Sequence, residues 1–145
     1  MSQKELSLWL RGVVVLALVC CAGLAVWAAL PGGFDMSGLT VFFWVTLLPV
    51  LAALMLCWRI FADIGRDRSF TEKNARRLRS ISRLALLDTL LYVVGLAVVI
   101  VQGNIAILLF TAIIIIGVAM TVLCAALSHL TKKAADMKSE NDLTI

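Results

Sequence analysis

Four long apolar runs, divided by short or strongly polar stretches, dominate the chain. They cover about 8–30, 39–62, 84–101 and 105–127. A helix that crosses the hydrocarbon of a bilayer needs about 17–25 mainly apolar residues, and each run meets that length. The first holds one charge, Arg11, close enough to its end to snorkel to the interface. The pattern predicts an all-α integral membrane protein, a single domain over 1–145. Its four transmembrane helices would form two outward hairpins, with a cytoplasmic amphipathic helix between spans 2 and 3.

The breaks between runs differ in kind. Pro31-Gly32-Gly33 ends the first run, and the connection through Ser37 carries only the charge of Asp35. Gln102-Gly103-Asn104 makes a tight uncharged turn between the third and fourth runs. Pro49 falls near the middle of the second, where it removes the hydrogen bond to the Val45 carbonyl and predicts a helix kink, as a packing bend or a gating hinge. The first run also invites reading as a signal peptide, with Val26-Trp27-Ala28 as a loose cleavage pattern. Secretory apolar cores run to only about 7–15 residues, so a retained span is expected.

The connection between the second and third runs is of another order. From Arg59 to Arg83 it reads RIFADIGRDRSFTEKNARRLRSISR, with Asp63, Asp67 and Glu72 offsetting part of its positive charge. Thr71 is a good N-cap and Glu72 suits the first turn of a helix. From there Ala75, Leu78, Ile81 and Ala85 fall on one side, and Arg76, Arg79 and Arg83 on another. The basic segment 63–83 is therefore expected to hold an interfacial helix that runs, or elbows, into the third span. The tail 128–145 carries Leu130, Ala134 and Met137 at helical spacing and is expected to begin as a helical extension.

Charge then orients the molecule. All 13 Lys and Arg fall at one end of the spans: Lys4 and Arg11, the central segment, and the tail. By the positive-inside rule both termini and the central segment are expected on the cytoplasmic side. With 62% hydrophobic residues, 15% charged and a mean hydropathy of +1.02, a soluble domain of 145 residues is excluded. The net charge of +4 reports topology rather than nucleic acid. Phe61 and Phe70 give no stacking platform in the basic segment, so direct nucleic-acid binding is not expected. Contact with anionic lipid headgroups is expected from Arg66, Arg68, Arg76, Arg79 and Arg83.

Few residues carry chemistry. Asp88 sits about one turn inside the third span, where an acid is costly and seeks a partner. Arg11 and Arg59 lie at comparable shallow depth, so an intramembrane ion pair with either is expected; snorkelling of Asp88 and a proton relay are the alternatives. Cys20, Cys21, Cys57 and Cys124 all lie within spans without C-x-x-C spacing, and read as small packing residues. His129 stands where the fourth span leaves the membrane, as an interfacial side chain. Gly117, Thr121 and Ala125, like Ala17, Cys21 and Ala25, form small-residue ridges for helix contact within the bundle or between copies. There is no Ser/His/Asp set, phosphate loop, H-E-x-x-H or acid pair, so no enzyme, cofactor or metal site is expected.

Two stretches together resemble a known family. They are Ile64-Gly65 through Ser69-Phe70-Thr71 with Asn74 and Leu78, and the terminal Glu140-Asn141-Asp142-Leu143-Thr144-Ile145. The pairing is similar to a bacterial family of four-span membrane proteins carrying a domain of unknown function (DUF twenty-nine seventy-five). Many of its members have Pro or Gly just before the Phe, where this chain has Arg68-Ser69. Its genes often adjoin one for a small Cro/repressor-type helix-turn-helix regulator, so the resemblance implies a membrane partner for a cytoplasmic regulator. On that reading Phe70, Thr71, Asn74, Leu78, Glu140, Asn141, Asp142 and Leu143 either form a docking surface or fix the inner cap of the fold. A structural or envelope-stress protein without a fixed partner is the alternative, and a small transporter or channel a further one. The lack of any acid from Gly12 to Leu30 separates the chain from small multidrug exporters.

Overall fold

The structure, a computed structural model, describes residues 2–31, 37–103 and 105–143. Gly32-Gly33 of the first expected break, Asn104 of the tight turn, and Thr144 and Ile145 lie outside the described residues. Four α-helices account for nearly all the rest: α1 Gln3–Ala29, α2 Ser37–Ile64, α3 Glu72–Val101 and α4 Ile107–Leu143. All four are long and apolar enough to cross a membrane.

Local chemistry explains where they start and stop. Ser2 and Glu5 form a reciprocal capping box on α1, the Ser2 amide donating to Glu5 Oε2 at 2.9 Å and the Glu5 amide to Ser2 Oγ at 3.3 Å. Thr71 caps α3 through its hydroxyl, which accepts from the Asn74 amide at 3.3 Å. Gly103, at φ 62°, supplies the left-handed residue that ends α3. Pro49 is buried within α2, which stays helical across it.

α3 runs unbroken for 30 residues. The amphipathic stretch is therefore its first turns, not a separate helix between the second and third spans, because nothing from Glu72 to Val101 interrupts the hydrogen-bond ladder. α4 is longer still at 37 residues. At about 1.5 Å per residue it measures roughly 55 Å, well beyond a hydrocarbon core of about 30 Å.

Each helix packs on its neighbours in the chain: α1 on α2, α2 on α3, and α3 on α4 most extensively. Partners run antiparallel. The Ser7 hydroxyl donates to the Phe61 carbonyl at 2.6 Å, Ser82 to Thr121 at 2.9 Å, and Ser128 to Ala75 at 2.7 Å. In lipid, such hydroxyl bridges between helices are worth about 0.6–2 kcal/mol each.

The α3–α4 seam has a heptad rhythm. On α3, Ala75, Leu78, Ser82, Ala85, Thr89 and Tyr92 are buried or half-buried at alternating steps of three and four. On α4 the matching row is Gly117, Thr121, Cys124, Ser128 and Thr131. Small residues on both rows let the backbones approach, and Gly117 faces Thr89 directly. Ala125, the third member of the expected α4 ridge, is exposed instead.

Two clusters hold α2 against this pair. Towards the α2–α3 turn, Ile60, Ile81 and Cys124 pack with Leu56, Cys57 and Leu78. At the other end Phe42, Tyr92 and Phe110 meet with ring centroids 5.3–5.6 Å apart. Gly95 makes room for them: a Cβ there would lie 2.7 Å from Phe110 Cε1 and 2.8 Å from Phe42 Cζ.

Gly95→Ala is expected to destabilise the detergent-solubilised protein by about 1–3 kcal/mol, the usual cost of overpacking. The readout is the midpoint of thermal unfolding by circular dichroism. At Gly23 an added Cβ meets nothing within 4 Å, so Gly23→Ala should leave the midpoint unchanged or slightly raised. Equal responses at the two positions would remove the ring cluster as the cause.

Candidate functional site

The α2–α3 turn is a built structure. α2 ends in a Schellman motif: the Arg68 amide donates to the Asp63 carbonyl at 2.9 Å and the Asp67 amide to the Ile64 carbonyl at 3.1 Å. Asp67 occupies the left-handed position of that motif at φ 56°, where glycine is usual. Asp tolerates this backbone better than most residues but still strains there.

One side chain then locks the turn. Asn74, 1% exposed, donates from Nδ2 to the carbonyls of Arg68 at 3.1 Å and Ser69 at 3.2 Å. Its Oδ1 accepts from Arg77 Nη1 at 2.9 Å, and the same guanidinium nitrogen reaches Asp63 Oδ2 at 2.6 Å. Asp63 lies in the last turn of α2 and Arg77 in the second turn of α3, so this ion pair clamps the two helices beside the turn. At 24% and 22% side-chain exposure the pair is shielded from water far more than Arg76–Glu72, at 77% and 63%.

Beside the turn an open groove runs between Phe70, Thr71 and Glu72 on one wall and the last turns of α4 on the other. It has a volume of about 460 Å³, with Ala135, Asp136, Lys138, Ser139, Asp142 and Leu143 on the α4 side. Phe70 is 58% exposed and Leu143 83%. Antiparallel packing in register at Ala75 and Ser128 makes α4 overshoot the start of α3 by about three turns, which creates this second wall.

The structure thus sorts the expected docking residues. Phe70 and Thr71 meet Asp142 and Leu143 across the groove, while Glu140 and Asn141 are exposed on the same stretch of α4. Asn74 and Leu78 belong to the interior instead: Asn74 is spent on the turn, and Leu78 packs on the core cluster. Arg59, Arg66, Arg68, Arg76, Arg79 and Arg83 are exposed. The pairing of Asp63 with Arg77 is not legible in the sequence, because nothing in the spacing says which of the eight cations from Arg59 to Arg83 turns inward.

The expected ion pair of Asp88 does not form. Among the described residues the ion pairs are Arg76–Glu72 and Arg77–Asp63. Arg11 lies over the Trp58 ring at 5.2 Å, its Nε buried without a partner, and Asp88 Oδ1 is likewise buried and unpartnered. Register gives the reason. Ile60 and Ile81 share a cluster, so Arg59 stands level with about Ser82, and Asp88 is a further 9 Å along the helix at about 1.5 Å per residue. All four cysteines are free. Among the described residues no three His, Cys, Asp or Glu converge as a metal site.

The sequence model of one protein family, described as "Protein of unknown function (DUF2975)", matches residues 8–145. The chain is also similar to the "Uncharacterized membrane protein YoaS" of Bacillus subtilis (strain 168), with 29% identity over 110 residues, 72% of this chain and 69% of that protein. No solved structure matches.

Asn74→Ala should leave the carbonyls of Arg68 and Ser69 without their partner and loosen the turn by about 1–3 kcal/mol. Cleavage by trypsin after Arg66 and Arg68 is expected to require opening of the turn, and each 1.4 kcal/mol is about tenfold in the open population. Cleavage there should accelerate about fivefold or more in the variant. Asp67→Gly relieves the left-handed strain and should slow the same cut. Unchanged cleavage in Asn74→Ala would show that the turn is held by something else.

Proposed function

Because the chain belongs to the DUF2975 family, whose function is not established, we propose from its own residues that it is a multi-pass membrane protein that docks a cytoplasmic regulator. In this reading the four helices form two hairpins pointing outward, with both termini, the α2–α3 turn and the end of α4 in the cytoplasm. The support is the gathering of all 13 Lys and Arg at one end of the helices. Arg66, Arg68, Arg76, Arg79 and Arg83 then meet the anionic headgroups of the inner leaflet.

The groove beside Phe70 carries the docking part of the proposal. Two exposed apolar side chains, Phe70 and Leu143, stand on the water side of the molecule, which bilayer packing does not require. Around them lie three acids, Glu72, Asp136 and Asp142, against one base, Lys138. An acidic groove with apolar anchors suits a basic amphipathic segment, the kind of surface a DNA-binding protein offers. A small helix-turn-helix regulator fits that chemistry, and holding its basic face here would compete with DNA. A catalytic role is not part of this proposal, and the single intramembrane acid gives a transporter little to work with.

Detergent-solubilised protein, tagged and purified, should retain a helix-turn-helix regulator encoded beside it. Phe70→Ser combined with Asp142→Lys should reduce that capture at least tenfold while membrane levels of the protein stay constant. Capture unaffected by both changes, or no capture by the unaltered chain, would overturn the docking reading and favour a structural protein without a fixed partner. Reporter fusions at Arg76 and Lys133 should both read cytoplasmic, and one at Gln102 external.

A further inference from the structure

A second cavity lies between α3 and α4 on the other side of Glu72. It is small, about 70 Å³, and is lined by Glu72, Ala75, Arg76, Arg79, Ser128 and Lys132. We propose that it is a binding site for the phosphodiester headgroup of one anionic glycerophospholipid, held by Arg79 and Lys132 with Arg76 beside them.

Four observations carry this assignment. The first is charge. Arg76 is tied to Glu72 at 2.8 Å, whereas Arg79 and Lys132 have no acid partner among the described residues. Three cations against one carboxylate leave an excess of two positive charges around the cavity. The second is direction. Side chains on a helix lean towards its N-terminus, so Arg79 leans towards Ala75 and Lys132 towards Ser128. Ala75 and Ser128 are bonded to each other at the floor, so the two cations converge from opposite ends on one point.

Depth is the third. Ser128 is the first residue past the apolar run of α4, and Ala75 lies nine residues before the apolar run of α3, about 13 Å outside it. The headgroup layer, about 5–8 Å on each side of the core, falls between these two limits. Exposed Leu127 stands next to Ser128 on the core side of the site, where acyl chains would lie. Size is the fourth. The cavity is partly open and has room for a phosphate group. Basic pockets between transmembrane helices are a recognised way of holding anionic headgroups.

The proposal narrows the general headgroup contact above to a single stoichiometric site. It depends on this end of the helices lying at a membrane surface, but not on which face of the membrane that is. Native mass spectrometry from detergent containing equimolar phosphatidylglycerol and phosphatidylcholine tests it. The unaltered chain should retain one phosphatidylglycerol in preference to phosphatidylcholine. Arg79→Gln with Lys132→Gln should weaken that retention at least tenfold, while Arg66→Gln with Arg68→Gln, which removes the same charge elsewhere, should retain it. The charge-keeping pair Arg79→Lys with Lys132→Arg, read on monodisperse protein, should bind within about threefold of the unaltered chain. Equal loss in both glutamine pairs would mean diffuse electrostatics and overturn the site, as would retention in all variants. Displacement of the lipid by millimolar glycerol phosphate would assign the cavity to a soluble phosphate instead. Because the readout is in detergent, its failure is distinct from failure of the reporter fusions or of regulator capture.

Discussion

The buried amide of Asn74 closes the α2–α3 turn, and much of the polar end of the molecule follows from it. By holding the carbonyls of Arg68 and Ser69, it fixes where the chain leaves α2 and where Thr71 can cap α3. Its oxygen also steers Arg77 onto Asp63, so the turn and the helix clamp share one side chain. With the start of α3 fixed, the α3–α4 register set by the Ala75–Ser128 and Ser82–Thr121 bonds decides which side chains of α4 face Phe70. A half-satisfied polar centre of this kind would be costly, whereas a complete one specifies a single arrangement. Three partners on one buried Asn make it complete.

Below the turn the problem changes, because lipid offers apolar side chains no reward for leaving it. Small residues and hydroxyls do the joining there: Ser82 and Ser128 bridge α3 and α4, Ser7 bridges α1 and α2, and Thr89, bonded within α3 to Ala85, lies against Gly117. The same hydroxyls do not compete with the helices, since each donates to a carbonyl and leaves the ladder intact. α3 and α4 share the most extended contact, and among the described residues α1 packs on α2 alone. The small cavity sits on the α3–α4 seam, and the groove where α4 runs on past the start of α3.

The sequence made the four helices legible because apolar length is a direct consequence of bilayer thickness, and Thr71 legible because capping is local. Continuity of α3 was less so: an amphipathic stretch and an apolar one look like two elements until one asks what would break the helix between them. Of the site, Phe70, Asp142 and Leu143 were visible as residues that membrane packing does not need. Asn74 was visible too, with docking and capping both open to it; as the most buried side chain of the basic segment it serves the cap. The heptad pattern, through Ser82 and Thr89 on α3 and Ser128 on α4, was present in the spacing. It was masked by apolar neighbours on every other face, which is what a lipid-exposed helix displays.

Asp88 shows most clearly why pairing cannot be read from depth counted along each span separately. Arg11, Arg59 and Asp88 each lie a turn or so inside an apolar run, but the runs themselves are offset. On α3 the apolar run begins only at Leu84, while the matching level of α4 is apolar as far out as Leu127, opposite Arg76. The arginines of α3 therefore stand against apolar α4 and must reach outward, towards water and headgroups. Asp88, beyond the last of them, cannot follow. The α2–α3 register, seen where Ile60 meets Ile81, leaves Asp88 about 9 Å past Arg59, while the α3–α4 register, set by the Ala75–Ser128 and Ser82–Thr121 bonds, gathers Arg79 and Lys132 around one cavity. Two registers on two faces of one helix thus account for the ion pair that does not form and for the cluster of positive charge that does.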